Sequence, residues 1–196
     1  MYKRQQWGFY EVSYNKTNKD QKLKEKSDQI FKFNRTYSSY VMEHILFKIQ
    51  YPAEFHAQTA VEAAIKLHES VASKLEIIDK IVIRTQEPAI RIISKVGKLA
   101  NAADRDHCIQ YMVAVGLIFG DLIAEYYEDD FHQENQLIDK LRDKMIIEED
   151  NQFSMDYLDP EKRSIANAVQ VFFNDGTCSD DIQICLLYTS DAADDV

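Results

Sequence analysis

The chain has 196 residues, of which 45% are hydrophobic and 29% are charged, values ordinary for a globular protein that buries its own core. Its formal net charge of −10 argues against a nucleic-acid-binding surface, which needs clustered cations. The charge leaves room for a small anionic ligand, because a few local cations outweigh an acidic background beyond a screening length of about 10 Å. No stretch approaches the length of apolar sequence that spans a membrane, so no membrane partner is expected.

The first part of the chain is predicted to be a lead-in to the folded domain. Residues 1–37 combine an aromatic-rich start with a polar, lysine-rich loop at 15–29. Ile30–Phe33 alternates in polarity and favours a short strand. The domain proper is predicted to cover 38–184. The final segment, 185–196, is small and acidic and does not continue the pattern, so we expect a non-native tail there.

The centre of the domain is predicted to alternate between helix and strand. Apolar residues recur at helical spacing from Ala60 to Val71, which predicts a helix over Thr59–Lys74. Lys80–Thr85 is rich in β-branched residues and favours a strand. Pro88 suits the first turn of a short helix that continues to Ser94.

The second half adds two helices and a hairpin. Asp104–Phe119 predicts a long, largely buried helix with Asp104 as its N-cap, and Asn135–Met145 predicts an amphipathic one. Ile165–Phe173 and Thr177–Ile184 flank an Asn-Asp-Gly turn, a strong hairpin signal. Without a regular βαβ rhythm, the pattern predicts an α+β fold with helices packed on a small, mostly antiparallel sheet.

Two candidate site residues, Lys48 and His56, flank the turn at Tyr51-Pro52. Proline restricts the preceding residue and forces a bend, so the two side chains can converge on one pocket. His56 precedes a helix, where the positive end of the dipole disfavours imidazolium, and a neutral imidazole accepts a proton near neutral pH. In the structural alternative His56 caps the helix and Lys48 is a surface charge. Spacing alone favours this alternative.

A second polar cluster comprises Asp104, Arg105, His107, Gln110 and Tyr111. On one continuous helix, Asp104, His107 and Tyr111 would share a face. Arg105 would lie in the first turn, where a positive charge is unfavourable, so an anionic partner such as a substrate carboxylate is expected. A capped core helix with an edge salt bridge explains the same residues equally well.

Other chemistries have little support in the sequence. The three cysteines, Cys108, Cys178 and Cys185, show no metal-ligand spacing, and their number favours a reducing cytoplasm. No window contains the tight His, Cys and carboxylate set of a zinc site. Neither a glycine-rich phosphate loop nor the glycine-flanked serine turn of a hydrolase occurs.

Several long runs resemble one known family in content and order. They are WGFYEVSY near the start, Ser39–Ala64, Lys80–Ile93, Asn101–Gly120 and Asp159–Thr177. With these runs the chain resembles the MmgE/PrpD family over about residues 5–184, apart from 15–29.

The resemblance implies a cofactor-independent hydro-lyase, which removes water from 2-methylcitrate to give 2-methyl-cis-aconitate in the methylcitrate cycle of propionate catabolism. It implies a small-molecule tricarboxylate as substrate and no iron–sulfur cluster. The family fold pairs a large all-helical domain with a smaller α+β domain, in a homodimer when full length. This chain would correspond to the α+β domain and its lead-in.

The resemblance also suggests roles for individual residues. Lys48 and Arg105 are expected to bind substrate carboxylates, with Lys48 also close to the chemistry, and Tyr111 to donate a hydrogen bond. His56 or His107 is expected to transfer the proton. A related family member carries a histidine near the position of Glu54, so either Glu54 or His56 is expected to face the substrate.

Two alternatives remain open. One is another activity of the same family, such as decarboxylation or isomerisation of a related polycarboxylate. The other is a non-catalytic, incomplete domain. The chain alone is expected to be inactive, because the resemblance places further active-site residues in the helical domain.

Overall fold

In a computed structural model, the structure describes residues 50–186, which fall within one compact unit of the chain. The predictions for Lys48, for the lead-in and its loop, and for the strand at Ile30–Phe33 lie outside the described residues, as does 187–196. No helix among residues 50–186 is long and apolar enough to cross a membrane.

The described part contains seven α-helices and four strands. In chain order they are α1 Gln58–Val71, β1 Ile78–Thr85, α2 Glu87–Ile93, α3 Ala102–Asp106, α4 Ile109–Phe119, α5 Asp129–Glu134, α6 Leu137–Arg142, β2 Met145–Glu149, α7 Asn151–Leu158, β3 Ile165–Phe173 and β4 Ile182–Leu186.

The four strands form a single sheet in the order β2-β1-β3-β4. The β1–β2 pair is parallel, while β1–β3 and β3–β4 are antiparallel, so the sheet is mostly antiparallel as predicted. The α+β fold class is therefore confirmed. The central strand β3 is almost continuously buried, because it has neighbours on both edges, α1 packs against one face and Phe153 of α7 covers Ala166 and Ala168 on the other.

The helical layer is organised around α1 and α4. Nine of the eleven residues of α4 are buried, as expected of a helix that is apolar around most of its circumference. The helix ends at Gly120, whose φ of 69° lies in the left-handed region that favours glycine. Gly116 lets the two helices approach closely, because a Cβ there would lie 3.0 Å from the Cβ of Ala64.

The predicted helix over Asp104–Phe119 is wrong in one respect: it is two helices. α3 ends at Asp106, and Cys108 is extended (φ −129°, ψ 103°) before α4 begins. The N-cap is Asn101, whose side chain accepts a hydrogen bond from the Asp104 N–H at 2.9 Å. The break lets α3 turn Arg105 into the core while α4 buries a different face. The predicted shared helical face of His107 and Tyr111 therefore does not exist.

Two further boundaries differ from the prediction. The third helix ends at Arg142, and Met145 instead opens the parallel edge strand β2, which the sequence pattern did not indicate. β3 has its predicted bounds, but β4 is shorter and later, and Cys178 forms only an isolated bridge to Phe172. β4 includes Cys185 and Leu186, the first two residues of the predicted tail.

Enlarging Gly116 should destabilise the fold. In Gly116→Val the added side chain meets Ala64 at less than normal contact distance, and overpacking of this kind costs about 1–3 kcal/mol. Urea denaturation measures the change in the free energy of unfolding. Ala100→Val, which enlarges an exposed alanine, is the control and should change little. Equal stability of the two variants would contradict the close helix contact.

Candidate active site

The turn at Tyr51–Ala53 is fastened to the start of α1 by Gln58. The Gln58 amide Nε2 donates to the backbone oxygens of Tyr51 at 2.8 Å and Ala53 at 2.7 Å. The Tyr51 N–H donates in return to Gln58 Oε1 at 3.2 Å. Gln58 is buried, so these bonds are shielded from competing water. The turn after Pro52 therefore has one defined geometry relative to the helix.

Glu54 and His56 form a hydrogen-bonded pair directly after this turn. Glu54 caps a short 3₁₀ turn, Phe55–Ala57, and its Oε2 accepts the His56 backbone N–H at 2.8 Å. Its Oε1 lies 2.9 Å from His56 Nδ1. The two side chains are only 14% and 10% exposed, respectively. The pair is thus a carboxylate–imidazole unit largely removed from solvent.

The other ring nitrogen of His56 faces Tyr157 in α7. His56 Nε2 lies 3.2 Å from the Tyr157 hydroxyl, and the two rings stand 5.6 Å apart. A carboxylate accepts hydrogen bonds but does not donate them, so Glu54 selects the tautomer with the proton on Nδ1. Nε2 is then an acceptor and the Tyr157 hydroxyl donates to it.

Asn167 ties this unit to the centre of the sheet. Its Nδ2 donates to the His56 backbone oxygen at 2.8 Å and to Thr59 Oγ1 at 2.7 Å. The Thr59 hydroxyl donates onward to the Ile165 backbone oxygen at 3.3 Å. Asn167 is fully buried on β3. The position of His56 is therefore fixed from the sheet as well as from the helix.

The electrostatics of the pair favour an ionised Glu54. Burial works to raise the pKa of Glu54, but the hydrogen bond and charge of His56, its backbone N–H and the charge of His107 together hold that pKa below its ordinary value of 4.5.

A cleft of about 340 Å³ opens beside Tyr157. Its volume is in the range of small-ligand sites. Its lining is mainly apolar, and Tyr157 and Arg163 are the two members with polar side chains; the lining residues are Phe55, Tyr157, Leu158, Pro160, Arg163 and Ile165. His56, 8% exposed, does not line this cleft, whereas Tyr157 both lines it and contacts His56.

The sequence profile of the MmgE/PrpD C-terminal domain matches residues 51–186, which include every element of this site. The chain belongs to the MmgE/PrpD family. The Glu54–His56 turn and α7 thus lie within the C-terminal domain of an MmgE/PrpD protein.

Curated MmgE/PrpD relatives named 2-methylcitrate dehydratase are similar over most of the chain. The Salmonella typhimurium protein is 53% identical over 174 residues, covering 87% of this chain and 33% of that protein. The Escherichia coli K12 protein is 51% identical over 181 residues, covering 91% and 35%. The mitochondrial 2-methylcitrate dehydratase of Yarrowia lipolytica is 50% identical over 181 residues, covering 91% and 32%. The chain spans about a third of the length of these relatives.

Arg105 is buried in the core rather than directed at the cleft. Only 2% of its side chain is exposed, its Nε donates to the Tyr127 backbone oxygen at 2.7 Å, and its guanidinium forms an ion pair with Asp129. A second guanidinium nitrogen lies 3.4 Å from His132 Nδ1. These contacts hold α3 against the segment that leads into α5. Its predicted role in carboxylate binding stays a prediction.

Tyr111 and His107 differ in exposure. Tyr111 is fully buried, burial raises its pKa, and its hydroxyl donates to the Tyr126 backbone oxygen at 2.7 Å. The His107 side chain is half exposed and contacts the neighbouring Asp106. The charge of His107 contributes, as the smallest of the causes, to the lowered pKa of Glu54.

The sequence pattern did not indicate Tyr157 and Asn167 as site residues. They lie 101 and 111 residues from His56. Asn167 falls within the run Asp159–Thr177 that carries the resemblance, but nothing in that run points to a contact with His56. Tyr157 precedes the Asp159-Pro160 turn, where the family resemblance begins again, and this proximity is the single signal that pointed to the region.

The lowered pKa of Glu54 makes a stability prediction. A carboxyl group with a lower pKa in the folded than in the unfolded state adds stability above its unfolded value and loses it as the pH falls through the folded value. The free energy of unfolding of wild type should therefore exceed that of Glu54→Gln most near neutral pH, and this difference should shrink as the pH falls below 4.5. Urea denaturation near neutral pH and again below pH 4.5 measures the difference.

The control for this prediction is Glu161→Gln, which removes an exposed carboxyl from a surface turn. Its difference from wild type should be small near neutral pH. A Glu54→Gln difference that does not change with pH would mean that the carboxylate is not stabilised by His56.

Proposed function

We propose that this chain is part of a 2-methylcitrate dehydratase, a hydro-lyase that converts 2-methylcitrate into 2-methyl-cis-aconitate and water. The observation that carries the proposal is 53% identity to the Salmonella typhimurium enzyme over 87% of the chain. Because the chain spans about a third of that enzyme, the activity is proposed for the whole protein, and the chain alone is expected to be inactive.

The chemistry requires two proton transfers and cations for the carboxylates. A base removes the proton from the carbon beside a carboxylate, an acid protonates the departing hydroxyl so that it leaves as water, and the electron pair of the C–H bond becomes the new double bond. The Glu54–His56–Tyr157 chain supports this assignment: Nε2 of His56 is the acceptor, Glu54 stabilises the charge that forms on the ring, and the Tyr157 hydroxyl connects the ring with the cleft.

The remaining predicted residues keep proposed roles. Lys48 is proposed as a cation for a substrate carboxylate and His107 as a second candidate for proton transfer. For Arg105 and Tyr111, the buried contacts favour a structural contribution over direct contact with the substrate. Glu54 and His56 are proposed to have different roles: Glu54 orients the imidazole ring, and His56 carries the proton.

The biological setting is also part of the proposal. We propose a cytoplasmic homodimer in propionate catabolism that needs no cofactor. The three free cysteines, Cys108, Cys178 and Cys185, support a reducing compartment. The Yarrowia lipolytica relative is named a mitochondrial protein, so location differs across such proteins.

Removing the His56 imidazole should reduce turnover far more than it reduces stability. In the full-length protein, wild type should dehydrate 2-methylcitrate, and His56→Ala should lower kcat about a hundredfold or more, as is usual for loss of a general acid–base group. Formation of the conjugated product is followed by ultraviolet absorbance. His68→Ala, at the far end of α1, removes a histidine bonded to the Leu117 backbone oxygen and should keep most activity.

Two outcomes would contradict this account. Activity of His56→Ala within a few-fold of wild type would remove His56 from the chemistry. A wild-type protein that leaves 2-methylcitrate unchanged but decarboxylates or isomerises a related polycarboxylate would assign the alternative activity of the family.

A further inference from the structure

Arg163 differs from every other arginine that the structure describes. Residues 50–186 contain five arginines. Four of them form ion pairs with carboxylates: Arg84 with Asp150 and Asp181, Arg91 with Glu87, Arg105 with Asp129 and Arg142 with Asp139. Within the same range, the Arg163 side chain has no hydrogen-bonding or acidic partner. Arg163 is exposed, and among residues 50–186 it is the one arginine that is not paired with a carboxylate.

The backbone of Arg163 is also unusual. Its φ of 42° is the one positive φ of a non-glycine residue in the described chain. Residues with a Cβ avoid this region because of steric contact with the following carbonyl oxygen. Such conformations persist where the surrounding structure enforces them, and they concentrate at ligand-binding positions.

The surrounding turn enforces this conformation. The Arg163 N–H donates to the Asp159 backbone oxygen at 2.8 Å, and the Ser164 N–H donates to the Asp156 backbone oxygen at 3.1 Å. The neighbouring Lys162 is held aside by an ion pair with Asp156 at 2.7 Å. Of these two adjacent cations, Lys162 is therefore paired with Asp156 of α7, whereas Arg163 lines the cleft.

The cleft brings Arg163 close to Tyr157, one of the three residues proposed to transfer the proton. Arg163 and Tyr157 line the same space, and Tyr157 is the residue that contacts His56 Nε2. The remaining walls, among them Phe55, Leu158 and Ile165, are apolar. A guanidinium that shares a cleft with aliphatic and aromatic residues suits an anion with a hydrocarbon part, since the planar fork binds a carboxylate through two hydrogen bonds.

We propose that Arg163 binds a carboxylate of the substrate and that the cleft beside Tyr157 is the site where this carboxylate enters the domain. The inference rests on the proposed function and names a binding residue for the same reaction. Arg163 would hold the polyacid while the Tyr157 hydroxyl lies next to the reacting carbon or its hydroxyl. It would also supply a cation within the described domain that does not depend on Arg105.

Glycine at position 163 separates binding from folding. Arg163→Gly removes the guanidinium and at the same time relieves the positive φ, so the melting temperature should be unchanged or higher. In the full-length protein, titration calorimetry with tricarballylate, a tricarboxylate without a hydroxyl to lose, should show binding weakened about tenfold or more. The KM for 2-methylcitrate should rise in parallel.

Two further variants complete the test. Arg163→Lys keeps the charge without the planar fork, so its affinity for tricarballylate should lie between the affinities of wild type and Arg163→Gly. Lys162→Gln is the matched control, because it removes a neighbouring cation that is already paired, and its affinity should stay within about twofold of wild type. Arg163→Gln serves as the second uncharged variant should glycine loosen the turn.

The outcomes distinguish this inference from the proposed function. Wild-type turnover with unchanged tricarballylate affinity in Arg163→Gly and Arg163→Gln would overturn the carboxylate site and leave the dehydratase proposal intact. Arginine-dependent binding without dehydration of 2-methylcitrate would keep the site and overturn the dehydratase proposal. Absence of tricarballylate binding by wild type would overturn the site.

Discussion

The buried amide of Asn167 is the constraint on which the site depends. It joins the His56 backbone oxygen and the Thr59 hydroxyl to the middle of β3, across 111 residues of sequence. A buried amide of this kind holds its partners firmly, because losing one bond leaves a polar group without water or protein to replace it. The entry to α1 and the central strand therefore share one fixed geometry.

The arrangement of the other site residues depends on these hydrogen bonds of Asn167. With the His56 backbone fixed, Glu54 determines which ring nitrogen carries the proton, and the opposite nitrogen meets Tyr157 on α7. α7 in turn leads into the turn that presents Arg163 to the cleft. A helix entry, a central strand and a late helix thus converge, and the contacts with His56 help to hold the pKa of Glu54 below its ordinary value.

Periodic patterns predicted the framework better than the site. β3 has its predicted bounds, and α1, which buries one face at helical spacing, differs from its prediction by a few residues. The break at Cys108 was missed because it is set by the burial of Arg105 against Asp129, a contact between distant segments. His56 was found from local sequence and the resemblance, whereas Tyr157 has no local signature and reaches it only through the fold.

The central claim is that His56 and Tyr157 act as one proton-transfer unit, and a double-mutant cycle on kcat tests it most directly. His56→Ala, Tyr157→Phe and the double variant would be compared with wild type in the full-length protein, with 2-methylcitrate as substrate. If the two residues act together, the double variant should lose little more activity than the more damaging single variant. Fully additive losses, in which the two factors multiply, would contradict the account.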